Sequence, residues 1–298
     1  MPFTISFALK SEQIMKLLVH LHIYYYDQIP YFIEKLSNIS GVAWDLFITE
    51  TKHNEDVEKI FNNLRVIPHY IETDNVGYDI WPFIKVVKSV NLDDYDLILK
   101  LHTKNIRDHN SKINGCRLNG PQWRNELVDS LLINRKHFGK LINMFKHDDR
   151  LGLICSYQLY SKKSNNRPED LSMLQNELGR LGFKFQGDRF CAGSMFMAKA
   201  GLYGFLQSDN IQASMFEGIA RTKSIGSMAH VYERILSMVP YEYSHTVKTI
   251  HTNYLRSLQI MVSGYMRPLL EWLFSITVIG ENRQKFLTLL GIRFLIRK

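Results

Sequence analysis

Cysteine is scarce in this 298-residue chain. Cys116, Cys155 and Cys191 are odd in number and lie far apart. That leaves no disulfide framework, no paired redox motif and no metal-type spacing. Cys155 and Cys191 sit in apolar stretches and read as buried thiols, which fits a reducing compartment. Long apolar runs are missing as well, so no segment reads as a membrane-spanning helix. Over residues 1–30 the apolar runs are short and broken by Lys10, Glu12 and Lys16, unlike a secretory signal. Acidic residues are in deficit. Against 37 Lys and Arg stand 29 Asp and Glu, giving a formal net charge of +8 and a pI near 9.2. Such a surplus implies an anionic partner: a nucleotide-linked substrate, an acidic membrane surface or nucleic acid. No RNP stretch or zinc-finger spacing is present, so nucleic acid is not the expected partner.

What the chain does have is core. Hydrophobic residues make up 45 % of it, enough for one large α/β domain or two small ones. Leu17 to Tyr25 reads as a first buried strand, with His20 and His22 on one face and Tyr24 after them. Residues 28–39 read as a helix with Ile29, Phe32, Ile33 and Leu36 on one stripe and Pro30 in the first turn. A strand over 43–49, a helix over 54–64 and a strand over 65–71 follow. Repeated β-α units predict right-handed crossovers and a mostly parallel sheet flanked by helices.

The organising stretch is residues 70–104. Ile80, Phe83, Ile84, Val87 and Val90 recur at helical spacing. Tyr95, Leu97, Leu99 and Leu101 then alternate with other residues as in a strand. Before the helix, Asn75-Val76-Gly77-Tyr78-Asp79 is a turn whose Gly can take positive φ. At the strand's end, Lys100, His102 and Lys104 project to one side and suggest a grip for phosphate at the sheet's carboxyl edge. Asp79 is also well placed to cap the helix.

Further on, residues 105–122 read as a long polar loop able to cover a ligand, followed by helices over 123–132 and 136–145. Arg124 is placed either near the phosphate or at a solvated helix start. A strand over 151–156, a polar loop over 160–170 and a helix over 171–182 come next. Residues 190–198 read as one strand in which Ala192 and Gly193 mark a close backbone approach. After Glu217 and Gly226, a helix carries His230 and Glu233 three residues apart on one face. Residues 254–298 change character. Leu258, Met261, Val262, Tyr265, Leu269, Leu270, Leu273 and Phe274 form an apolar stripe. Around it lie Arg256, Arg267, Arg283, Lys285, Arg293, Arg297 and Lys298, against only Glu271 and Glu281. A basic amphipathic helical tail suits an anionic membrane surface; packing on the core or on a partner subunit is the competing reading.

Four stretches taken together resemble the rhamnan synthesis F family of bacterial polysaccharide-assembly proteins. They are Asn75-Val76-Gly77-Tyr78-Asp79-Ile80 with Pro82-Phe83, and Tyr95-Asp96-Leu97-Ile98-Leu99-Lys100-Leu101-His102-Thr103-Lys104. The others are Phe190-Cys191-Ala192-Gly193-Ser194-Met195-Phe196 and Ala229-His230-Val231-Tyr232-Glu233-Arg234. The likeness covers roughly residues 15–240 and leaves out the tail. It implies a GT-A-like glycosyltransferase domain over 1–253, with a nucleotide-sugar half (1–104) and an acceptor half (105–253), then the tail (254–298). It further implies transfer of a sugar, rhamnose or another deoxysugar, from a nucleotide-sugar donor to a lipid-linked or polysaccharide acceptor. The expected setting is cytoplasmic, peripheral on the inner face of the bacterial plasma membrane.

One departure stands out. Where that class usually delivers an Asp-x-Asp motif for a divalent metal, this chain has Lys100-Leu101-His102-Thr103-Lys104. Side-chain cations can neutralise a leaving diphosphate, so metal-independent transfer is expected. Asp93, Asp94 and Asp96 lie at the wrong end of the strand to hold a metal there. Under this reading Glu233 is the general base, with Glu217 and His230 as other candidates and His230 orienting Glu233 or binding the acceptor. Asn75, Gly77 and Asp79 lie near the donor; Lys100, His102 and Lys104 hold the diphosphate; Ala192, Gly193 and Ser194 wall the acceptor. The alternative is a non-catalytic glycan- or nucleotide-binding subunit of an assembly complex.

Overall fold

The computed structural model describes residues 14–52, 54–61, 64, 66–107, 110–113, 116–162, 168–184, 187–217, 227–279 and 284–297. Most of the N-terminal pattern, together with Gly115, Gly226, Glu281, Arg283 and Lys298, lies outside them. At the centre is a seven-stranded sheet, mostly parallel and flanked by helices, as the β-α rhythm predicts.

In space the strands run β11 (Thr246–Ile250), β7 (Leu151–Ser156), β10 (Phe196–Lys199), β4 (Leu97–His102), β1 (Lys16–Ile23), β2 (Ala43–Glu50) and β3 (Pro68–Glu72). All are parallel except β10, which runs antiparallel between β4 and β7. The central strands β1 and β4 are near-continuous apolar runs, as suits strands of a sheet flanked by helices. α1 (Ile29–Leu36), α4 (Gly120–Leu132) and α5 (Arg135–His147) pack together. α3 (Ile80–Ser89), α7 (Met228–Met238) and α6 (Pro168–Leu181) form a second group. Between β2 and β3 lies the short α2 (Glu55–Phe61).

Chain order reverses between β1 and β4, which lie side by side with His22 opposite His102. In open α/β sheets such a reversal leaves a crevice at the carboxyl ends of the strands, because the flanking helices diverge to opposite faces there. Beneath it the core is aromatic. The Phe83 and Phe196 rings each lie within 6.3 Å of one another or of Tyr203, centroid to centroid.

Local chemistry sets the helix starts. Asn119 and Gln122 form a reciprocal capping box at α4. Asn134 caps α5 and Ser227 caps α7, each accepting a backbone N–H from three residues on.

Three expectations change. The run 190–198 is not one strand. β9 (Arg189–Cys191) ends in a tight turn before β10, with Gly193 at φ 95° and Ser194 at φ 48°. The polar loop 105–122 contains a hairpin, β5 (Asn110–Ile113) with β6 (Cys116–Asn119), and loop 160–170 contains β8 (Tyr160–Lys162), which pairs with β9. Finally, the tail is helical only through α8 (Tyr254–Leu273). Beyond it β12 (Phe274–Ile279), β13 (Gln284–Leu289) and β14 (Ile292–Arg297) form an antiparallel meander. The β-branched run Ile276-Thr277-Val278-Ile279 favours extended backbone. Leu290 and Gly291, both at positive φ, close the β13–β14 hairpin. Their N–H groups donate to the Leu273 and Trp272 carbonyls, tying the meander to the end of α8.

Candidate functional site

The site is built where β1 and β4 part. The polar cluster beneath its floor follows from strand register. His20 faces Lys100, His22 faces His102 and Thr49 sits beside His22, so the period of two brings all five to one side. Thr49 Oγ1 lies 2.9 Å from His20 Nε2 and 3.0 Å from His22 Nδ1. Burial drives both rings toward the neutral form, and nearby Lys100 pushes the same way. His22 falls to about 4 although Asp79 pulls it upward, and His20 is held well below the ordinary histidine range. His102 is likewise held low by burial, against the pull of Asp79.

Asp79 closes this cluster from the start of α3. It does not cap the helix through its side chain. Its Oδ2 instead accepts from Lys100 Nζ at 2.5 Å and from Ser194 Oγ at 2.5 Å, with His102 Nδ1 3.4 Å away. Burial alone would raise this carboxyl. The His102 and Lys100 charges and the bonds from Lys100 and Ser194 outweigh it and hold Asp79 well below the usual carboxylate range.

Lys100 therefore does not present itself as a phosphate ligand. Its ammonium is fully buried, and its other bonds go to the Ser194 carbonyl and hydroxyl, each at 3.1 Å. Three donors meet three acceptors, which leaves none for a ligand. The reason is tertiary: the β9–β10 turn folds back over β4 and brings Ser194 to the ammonium.

Lys104 is different. It lies just past β4, half-buried, with its ammonium 5.0 Å from the centre of the Trp123 ring. Burial lowers its pKa, and the charges of Asp79 and Glu233 partly restore it. The segment it belongs to is pinned. Thr103 Oγ1 accepts from the Tyr24 and Tyr25 N–H groups, and the Lys104 carbonyl accepts from Gln28 Nε2 at 2.5 Å.

Glu233 reaches the same edge from α7. Its Oε1 accepts the Gly193 N–H at 2.6 Å. Gly193 is required there on two counts. Its φ is left-handed, and a Cβ would come within 2.9 Å of Leu127 and 3.0 Å of Trp123 Nε1. Ala192, Gly193 and Ser194, expected to wall the acceptor, are all buried; the Gly193 N–H holds Glu233, Ser194 holds Lys100, and the Ala192 N–H donates to the Leu159 carbonyl.

His230 does not orient Glu233. Its Nδ1 lies 2.6 Å from Ser227 Oγ, and its ring meets Tyr78 edge-on at 6.0 Å. Tyr78 is exposed and at φ 54°, a strained conformation for an aromatic residue. Gly77 is buried at φ 67°, where a Cβ would meet Trp81 and Phe216 within 3.0 Å; packing explains this glycine. Asn75 is exposed on the turn, and Glu217 is exposed after Phe216, with no described side-chain bond to the cluster. Arg124 lies 3.7 Å over the Tyr31 ring and bonds Asn125 Oδ1.

Thr49 and Trp123 enter the site without having been anticipated. The alternation of β2 could have flagged Thr49, the one hydroxyl in its apolar half. Nothing local to residues 120–125 marks Trp123. Among the described residues no group of three or more His, Cys, Asp or Glu is arranged to hold a metal ion. Asp79 and Glu233 each already accept protein donors, and Asp96, at the opposite edge, accepts the Lys16 N–H. The donor set fits no metal centre of the Asp-x-Asp kind.

Two curated relatives from Xanthomonas campestris pv. campestris, from strains B100 and ATCC 33913, are both described as uncharacterized protein WxcX. Each is 24 % identical over 234 residues, covering 78 % of this chain but only 32 % of the relative. The chain thus spans about a third of their length. Among solved structures, a mycobacterial protein aligns at TM-score 0.38 and 11 % identity, covering 95 % of this chain and 84 % of the other. The mannosyl-3-phosphoglycerate synthase of Rubrobacter xylanophilus aligns at TM-score 0.38 and 7 % identity, covering 95 % and 87 %. The model of rhamnan synthesis protein F matches residues 5–245, which hold six of the seven central strands, the flanking helices and the site, and the chain belongs to that family.

Proposed function

We propose that this chain is a glycosyltransferase of GT-A type that moves a sugar from a nucleotide-sugar donor to a growing cell-surface polysaccharide, with rhamnose or another deoxysugar as the sugar. The observation that carries the reading is that Lys104 and Glu233 both converge on Trp123 at the carboxyl edge of β4. The half-buried Lys104 ammonium lies over the indole, and Glu233 accepts the N–H of Gly193, whose backbone packs against the same indole. Family membership supports the polysaccharide setting.

In the proposed reaction an acceptor hydroxyl attacks the anomeric carbon of the donor sugar. Glu233 takes the hydroxyl proton on Oε2, the oxygen that does not accept from Gly193. The bond from the anomeric carbon to the diphosphate breaks, and the nucleoside diphosphate leaves with both electrons. Lys104 balances the charge that develops on it. In this reading transfer needs no divalent metal, because Lys104 supplies the cation for the leaving diphosphate. His102 and the Lys100–Asp79–Ser194 knot support the strand end and the turn and do not touch the diphosphate. His230, fixed through Nδ1 on Ser227, offers Nε2 to the acceptor beside Tyr78. Glu217 and Asn75 flank the opening.

The test is donor binding and turnover by the full chain against a panel of nucleotide sugars, with and without EDTA. Saturable binding of one donor that survives EDTA and falls at least tenfold in Lys104→Ala is expected. Strict metal dependence would overturn the metal-free part. Binding without turnover, unchanged in Glu233→Gln, would favour a non-catalytic binding subunit.

A further inference from the structure

Residues 254–297 lie outside the family match and outside the central core, and they carry an anomaly. In a globular protein the apolar face of an amphipathic helix is turned inward. Here it is turned out. Tyr254 and Leu255 are 80 % and 81 % exposed, and Leu258, Val262, Leu269 and Trp272 are each about half exposed. At 100° per residue these positions fall within an arc of roughly 100° on α8. Arg256, Arg267 and Glu271 occupy the opposite side by position. The meander continues the pattern, with Ile276, Ile292, Phe294 and Ile296 all exposed beside the exposed Lys285 and Arg293. No helix among the described residues is long and apolar enough to cross a membrane.

We propose that this unit docks the chain, flat and reversibly, on a bilayer surface rich in anionic phospholipid, with the α8 face and the tips of the meander set into the headgroup boundary. Charge chooses this occupant. Between residues 254 and 298 the basic side chains are Arg256, Arg267, Arg283, Lys285, Arg293, Arg297 and Lys298, against Glu271 and Glu281 alone. A self-association face would bring these like charges together, whereas an anionic surface neutralises them. A broad apolar arc on a helix whose opposite, polar side is basic has the proportions of an interfacial helix. The root of the unit is firmly held. Thr252 donates to the buried Glu126 of α4, and Asn253 caps α8, so docking would hold the domain close to the lipid plane. The inference stands apart from the transfer reading, since it needs no reaction.

The full chain carries its own reporter. Trp81 and Trp123 are buried and Trp44 is half-buried, whereas Trp272 is about half exposed on the apolar arc. The experiment titrates the chain with phosphatidylcholine vesicles, with and without phosphatidylglycerol, following tryptophan emission and co-sedimentation. Expected are a blue shift that Trp272→Phe removes, and binding at least tenfold tighter to the anionic vesicles. Lys285→Gln with Arg293→Gln should weaken binding roughly tenfold or more, and so should Leu255→Ser with Leu258→Ser. The charge pair is fully at the surface and tests the idea even if the serine pair perturbs folding. Equal binding to both vesicle types, no sedimentation with either, or a stable dimer that buries Trp272 and ignores vesicles would each overturn it.

Discussion

Replacing Lys100 by Met removes a cation that the structure uses as a strut. The ammonium is fully buried, its partner Asp79 is 17 % exposed, and Ser194 bonds both. Methionine fills similar volume but leaves the Asp79 carboxylate facing a buried, uncompensated site. Breaking one partner of such a pair costs about 3–5 kcal/mol. For a domain of this size that corresponds to a fall in Tm on the order of 10 °C. The same residue read as a phosphate grip predicts the reverse: little loss of stability and a large loss of donor affinity. Two variants separate the readings. Lys100→Met with Asp79→Asn removes both charges and should recover at least half of the lost stability, because no lone charge remains. Lys104→Met should leave Tm within about 2 °C, since its side chain is half-buried and its charge only partly paired. Urea unfolding followed by circular dichroism, with donor binding measured on each variant, is the assay. If Lys100→Met costs under about 1 kcal/mol, or if the double variant is worse than the sum of the single ones, the strut argument fails.

Glu233→Gln keeps an oxygen that can accept the Gly193 N–H, so the fold should be intact while transfer drops by roughly 10²–10⁴; equal rates would remove Glu233 as the base. Gly193→Ala meets Leu127 and Trp123 at a left-handed φ, and a loss of about 1–3 kcal/mol in urea unfolding is expected. Acid should weaken the fold early. His20, His22 and His102 are buried with lowered pKa values, His22 at about 4. The unfolded chain therefore binds more protons than the native one between about pH 6.5 and 4, and stability falls as pH drops through that window. Asp79, also lowered, adds its own loss only below about pH 4. Each histidine contributes up to about 1.4 kcal/mol per pH unit. His22→Gln should flatten the slope of the urea midpoint between pH 6.5 and 5, and an unchanged slope would refute the assignment.

Much of the architecture was determined by sequence alone. The unbroken apolar runs of β1 and β4 could be satisfied only in the middle of a covered sheet, and the alternation of helices and strands left parallel order as the short solution. The turn at 75–79, the edge at 100–104 and the helix carrying Glu233 could be named from local pattern, because backbone period and glycine geometry are local properties; the turn at Gly193 could not, since residues 190–198 read as one strand. What each side chain does was not local. Lys100 and Lys104 are four residues apart on the same side of one segment. Only the return of the β9–β10 turn, some ninety residues later in the chain, decides that the first is enclosed by Asp79 and Ser194 while the second stays beside Trp123. The tail shows the same division. Its composition announced an amphipathic basic segment. That its apolar arc faces outward, and that its second half pairs as strands, was decided by the lack, among the described residues, of a surface over that arc of α8 and by the hairpin hydrogen bonds that tie the meander to the helix end.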